Sequence, residues 1–159
     1  MALAVKFGYD DCLRVLIENG ADVNIVAENG LSPLMIAARY GRDSCMRLLI
    51  EAKANLEAED VHKSTALLEA AEFGRVSCLR LLAKHGANVN AQNIYGRTAF
   101  MAAACDEKVE ILEALLEFGA NQSIKDNWFQ DAAKLASIRN KTYNFQYKIS
   151  GEPPTVSIA

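Results

Sequence analysis

Four cysteines are the first residues of this chain whose type could support chemistry: Cys12, Cys45, Cys78 and Cys105. The first three follow one another at equal steps, and in adjacent layers of a stacked structure they would stand about a helix diameter, ~10 Å, apart. That is beyond disulfide reach, and no CxxC or neighbouring histidine completes a zinc set. They are expected as small core hydrophobes kept reduced. Cys105, near the end of a helix, is expected to be the more accessible thiol. His62 and His85 have no carboxylate or nucleophile at a motif spacing. The sequence contains no phosphate loop, nucleophile elbow, HExxH or dinucleotide fingerprint. Glu57, Glu59 and Asp60 read as solvated loop charge. The expectation is a chain that is not an enzyme and uses no metal or cofactor.

A length of 159 residues suits one ordinary domain. Its 51% apolar and 23% charged residues belong to a chain that buries a core rather than to a disordered one. With 17 Lys+Arg against 20 Asp+Glu, the net charge of -3 gives no footprint for nucleic acid or an anionic membrane. No apolar run approaches the ~20 residues of a spanning helix. The start, MALAVKFGYDD, lacks a basic n-region and a cleavage site. A monomeric protein of the cytoplasm or nucleus is expected.

The elements that must position these residues recur. Ala4, Ala37, Ala70, Ala103 and Ala136 form one column at a step of 33 residues. Leu16, Leu49, Leu82 and Leu115 form another, Ala21, Ala54, Ala87 and Ala120 a third, and Gly8, Gly41 and Gly74 a fourth. Each unit reads as two short helices and a hairpin. Ser32 before Pro33 gives a hydroxyl N-cap and an N1 proline, and Gly41 ends that helix. The next segment, RDSCMRLLIEA, carries Cys45, Met46, Leu48, Leu49 and Ile50 at helical period. Polar, turn-forming KANLE, GADVN or GANVN follows. Helices this short bury both faces only against stacked neighbours. The pairs Ala37/Ala38, Ala70/Ala71 and Ala103/Ala104 let inner helices approach closely. Leu49, Leu82 and Leu115 fill the layers between outer helices, and truncating one to Ala should cost roughly 2–5 kcal/mol.

The segments SPLMIAARYG, TALLEAAEFG and TAFMAAACDE, each followed by a second helix and then KANLE, GANVN or GANQS, resemble ankyrin repeats. Over residues 1 to about 140 the resemblance implies an all-α solenoid with β-hairpin fingers and a 33-residue period, the units L-shaped and stacked into a curved array. A partial repeat covers 1–26, full repeats cover 27–59, 60–92 and 93–125, and a degenerate C-terminal cap covers 126–140. The chain begins inside a helix pair, with no polar residue covering the outward face of Leu3 and Val5, and so reads as a fragment of a longer protein. The tail 141–159 alternates Tyr143, Phe145, Tyr147 and Ile149 at strand period before Pro153 and Pro154. It is expected to lie along the last repeat or to add a strand to a partner's sheet edge.

Departures between copies point to surface and strain. Lys53 stands where other units have Gly20, Gly86 and Gly119, and Lys63 where they have Gly30 and Gly96. If both need φ > 0, each costs about 1 kcal/mol, and the junction between the second and third repeats is the softest. Asp10–Arg14–Glu18 and Asp43–Arg47–Glu51 read as i, i+4 charge pairs on an outer face. Phe7, Tyr40 and Phe73 precede the inner-helix glycines, a place that the resemblance puts near a concave face. Asn29, His62, Tyr95 and Trp128 occupy the finger tips. Tyr40, Phe73, His62, Tyr95 and Trp128 are therefore the expected partner-binding residues, with Trp128 also able to close the end of the array. Asn24 and Asn90 resemble hairpin asparagines that asparaginyl hydroxylases modify. The function implied is a non-catalytic scaffold or adaptor presenting hairpin tips and a concave face to a protein partner. The alternative is a regulatory or targeting segment of a larger enzyme, channel or ubiquitin-ligase component.

Overall fold

The computed structural model describes residues 1–138. The tail 141–159 and the end of the expected cap 126–140 lie outside the described residues. Inner helices are α1 (Ala2–Phe7), α3 (Pro33–Tyr40), α5 (Ala66–Glu72), α7 (Ala99–Cys105) and α9 (Ala132–Ile138). Outer helices are α2 (Asp10–Glu18), α4 (Asp43–Glu51), α6 (Val76–Lys84) and α8 (Val109–Glu117). Each inner helix packs on the next inner one, each outer helix on the next outer one, and α1, α3, α5 and α7 each on their own outer partner.

Hydroxyls start the inner helices. Ser32 Oγ accepts from the Met35 N–H at 3.2 Å, Thr65 Oγ1 from Leu68 at 3.4 Å and Thr98 Oγ1 from Met101 at 3.3 Å. All three caps are buried, so these helix ends enter the core with a donor satisfied that would otherwise be orphaned there. At α9, Asp131 Oδ1 takes the Lys134 N–H at 2.9 Å in the same manner.

Left-handed residues then turn the chain from inner to outer helix: Gly8, Gly41 and Gly74, and in the fourth copy Glu107 at φ 53°. The glycines have a second use. Arg42, at the start of α4, reaches back across Gly8 so that its Nε donates to the Lys6 carbonyl at 3.0 Å. Arg75 does the same across Gly41 to the Arg39 carbonyl at 3.1 Å, and the Lys108 ammonium across Gly74 to the Glu72 carbonyl. A Cβ on Gly41 would stand 3.1 Å from the Arg75 Cδ. Each staple ties an outer helix to the inner helix one repeat earlier.

The alanine pairs and Leu49, Leu82 and Leu115 are fully buried, as close layers require. Val5 is buried too, correcting its expected outward face; only Leu3 of that pair is exposed. Two cysteine expectations fail. Cys12 is exposed, whereas Cys105 is buried at 7% exposure. Cys45 and Cys78 are buried but do more than fill space. Their thiols donate to Asp10 Oδ1 and Asp43 Oδ1, both at 2.9 Å, across the outer layer. Those carboxylates make no ion pair with Arg14 or Arg47; among the described residues the pairs are Arg39–Glu69, Arg80–Glu117 and Lys108–Asp106. An exposed i, i+4 pair repays little of the side-chain entropy it costs.

The fingers are shorter than the β-hairpins expected. No β-strand forms among the described residues. Each finger is a tight turn closed by two backbone bonds: Ala27 N–H to Leu31 O, Asp60 to Ser64, Asn93 to Arg97 and Asp126 to Gln130, and in return Gly30 N–H to Ala27 O, Lys63 to Asp60, Gly96 to Asn93 and Phe129 to Asp126. The next residue pairs with the neighbouring finger instead of extending a ladder within its own.

Candidate protein interface

The tips are held from below by short polar side chains. Asp60 Oδ1 accepts the His62 and Ser64 N–H groups, both at 2.8 Å, and Asn93 Oδ1 those of Tyr95 and Arg97 at 3.0 and 3.1 Å. Asp126 Oδ1 does the same for Trp128 and Gln130 at 2.9 Å. This is the local bonding for which Asp and Asn are favoured in turns. Neighbouring fingers are tied tip to tip, His62 O receiving Ile94 N–H at 2.9 Å and Tyr95 O receiving Asn127 N–H at 3.0 Å. Lower down, Asn24 Oδ1, Glu57 Oε1 and Asn90 Oδ1 accept the N–H groups of Asn55, Asn88 and Asn121, each at 2.8 Å.

With the backbones committed, the tip side chains are left to solvent. His62 is exposed. Tyr95 and Trp128 are 46% and 58% exposed, and their rings stack across two fingers with centroids 6.3 Å apart and planes at 19°. Tyr40 and Phe73 are also exposed, at 38% and 42%, each beside a cation from the preceding repeat. Lys6 Nζ lies 5.5 Å from the Tyr40 ring centroid, and the Arg39 guanidinium carbon 5.2 Å from that of Phe73. Fingers precede the inner helices and this second column follows them. A helix of this length separates the two by about 12 Å, so the expected residues fall into two sets.

Between the fingers and inner helices lies a cleft of about 390 Å³. His62 and Tyr95 line its finger side, while Leu68 and Glu69 of α5 and Ala102 and Cys105 of α7 line its helix side. Tyr40 and Phe73 are not in its wall. Inside it, Arg39 Nε donates to Glu69 Oε2 at 2.7 Å, with the Glu69 side chain almost entirely buried. That hydrogen bond raises the Arg39 pKa in spite of partial burial. Arg39, Glu69 and Arg97 of this cleft are absent from the residues expected by sequence. A signal existed: Glu69 stands where the other copies have Ile36, Ala102 and Leu135.

Short helix pairs, turned by left-handed residues and stacked with finger to finger, define a helical repeat solenoid. The family model for ankyrin repeats matches three copies, over residues 1–93 and 53–126. The chain belongs to the ankyrin repeat family, whose members generally mediate protein–protein interaction and are typically non-catalytic. Comparison with the curated proteins gives no match. Among the described residues no helix is long and apolar enough to cross a membrane.

Proposed function

We propose that the chain is a scaffold or adaptor module that offers its finger tips and concave inner-helix face to a protein partner. The observation that carries this is the stacked, exposed Tyr95–Trp128 pair on turns whose backbones are already hydrogen-bonded. Aromatic area presented on a fixed backbone anchors an interface with little ordering left to do on binding. His62 extends that edge, and Tyr40 and Phe73, with their cations, form a second contact. The repeats 27–59, 60–92 and 93–125 each supply one finger on a 33-residue period. The module works as a monomer in the cytoplasm or nucleus, where free thiols persist. Asn24 and Asn90 are modification sites for an asparaginyl hydroxylase. Hydroxylation at their β-carbon leaves intact the amide oxygens that hold the next repeat, and one added oxygen in a tryptic peptide would reveal it.

The test compares wild type with the double variants Y95A/W128A and Y40A/F73A in partner capture and in thermal melting. Loss of captured partners at an unchanged melting temperature supports the reading. An unchanged partner set overturns these sites, and a large drop in melting temperature assigns the rings to packing.

A further inference from the structure

Repeats within one chain place several residues in one structural setting, so a charge where its copies are neutral calls for a cause. Glu69 is one such residue. Arg97 is another: its counterparts are Leu31, Ser64 and Gln130, the first two buried. Both line the same cleft. Withdrawing a charge from water is costly unless it is paired, and Glu69 is paired with Arg39. Arg97 is not. Its Nε is shut off from solvent without a hydrogen-bond partner, and its guanidinium enters no ion pair among the described residues.

Of the carboxylates that line the cleft with Arg97, three are committed elsewhere; Asp126, whose Oδ2 is buried without a hydrogen-bond partner, is not in the lining. Asp60 holds the finger N–H groups, Glu69 holds Arg39, and Asp106 holds Lys108. Glu72 is exposed and in the field of Arg39. Space exists because α7 brings Ala102 and Cys105 to the places where α5 has Glu69 and Glu72. The cleft therefore joins an unpaired, partly desolvated guanidinium to an aromatic rim, in a volume within the range of built binding pockets.

We infer that this cleft is an acidic-residue pocket: a segment of a partner protein inserts an aspartate or glutamate side chain against Arg97, while Tyr95 and His62 flank the segment. The inference rests on the protein-interaction reading and adds the chemistry of the partner. A guanidinium fork takes a carboxylate in bidentate fashion, and Nε is one of the donors of its side-on face. Away from bulk water that pair is stronger than its surface equivalent. Without a partner, Arg97 leaves a buried donor unmade, which opposes folding; the residue is thus suited to binding at the expense of stability.

The experiment pans the full chain with a phage-displayed library of random peptides. Retained peptides are expected to share Asp or Glu at one fixed position, and changing it to Asn or Gln should weaken binding about tenfold or more. The variant Arg97→Met keeps the stem and removes the charge. It should melt at the same or a higher temperature, lose the acidic preference, and still retain peptides through Tyr95 and Trp128, while Arg97→Lys recovers part of the preference. Peptides that need Tyr95 and Trp128 but bind wild type and Arg97→Met equally overturn the pocket and leave the interaction reading standing. No retained peptide at all overturns both. A marked fall in melting temperature, or failure to fold, in Arg97→Met makes the arginine structural and overturns the pocket.

Discussion

Lys53 and Lys63 hold left-handed backbone, at φ 64° and 56°, that glycine holds in every sister copy of Lys53 and in two of the three of Lys63. The two differ in surroundings. At Gly20, Gly86 and Gly119, the copies of Lys53, an added Cβ would meet nothing within 4 Å. Lys53→Gly should therefore relieve backbone strain alone, raising stability by up to about 1 kcal/mol less what glycine's unfolded-state freedom takes back. At Gly30 and Gly96, the copies of Lys63, a Cβ would come within 2.9 Å of Asp60 Cα and 2.6 Å of Asn127 Oδ1. Lys63→Gly should gain more, because it also removes a Cβ from the side on which the next finger's backbone passes. Denaturant melts of the two variants check this, and a larger gain at Lys53 than at Lys63 would contradict it. Both lysines were legible in sequence as departures from a glycine column; Phe129, at φ 59°, was not recognised as the fourth member of the Lys63 column.

The thiols show where residue type by itself misleads. Cys45 and Cys78 looked like plain core residues because their partners, Asp10 and Asp43, lie one repeat earlier. The chain held a clue: where the acid becomes Val76, the thiol one repeat later becomes Ile111. Burial first, and then the bond to Asp10, push the Cys45 pKa from 9.0 up to about 12; the same causes, with Asp43, raise that of Cys78. The fold therefore retains protons that the unfolded chain releases. The thiol contribution is whole below pH about 9 and is lost as pH rises toward about 12. Stability should fall over that window, and the fall should be shallower in Cys45→Ala, as urea melts across the range will show. An equal slope in wild type and variant would refute the coupling.

At the scale of elements, helix positions follow from patterns within one unit, whereas the links between units do not. Ser32, Thr65 and Thr98 announce the inner helices, and the observed caps are these hydroxyls. The staples from Arg42, Arg75 and Lys108 were illegible, since each reaches a carbonyl 36 residues earlier across a glycine that sequence reasoning had assigned only a turn. Arg75→Ala removes a charged donor at the surface from the Arg39 carbonyl and should cost about 1 kcal/mol. Gly41→Ala should cost more. It forces an alanine to φ 66° and sets its Cβ against the Arg75 stem. In the double variant the two losses should sum to less than their parts, because each disturbs the same staple. Strict additivity in denaturant melts would mean that the glycine serves the turn alone. The cleft was hidden for a related reason: its walls come from two fingers and three inner helices, and only comparison of copies marks Glu69 and Arg97 as unusual.

Among the described residues the main helix contacts join adjacent repeats, so stability is close to a sum of unit and junction terms and a local deficit stays local. Lys53 and Lys63 flank one finger, at the junction of the second and third repeats. The other left-handed residues besides glycine among those described, Glu107 and Phe129, fall on separate turns further along. That same junction is bridged on its helix side by the Arg39–Glu69 pair and by Arg75 on the Arg39 carbonyl. Weakness should therefore be confined to the finger. Native-state hydrogen exchange should find the amides of 53–63 less protected than those of 86–96, while the amides of α5 beside them keep the protection of α7. In the variant K53G/K63G the two fingers should become alike, with α5 unchanged. Equal protection of the two fingers in the wild-type chain would show that the left-handed lysines are tolerated without cost. Loss of protection through α5 as well would show that the junction opens as one unit, with its ion pair too weak to hold the helices together.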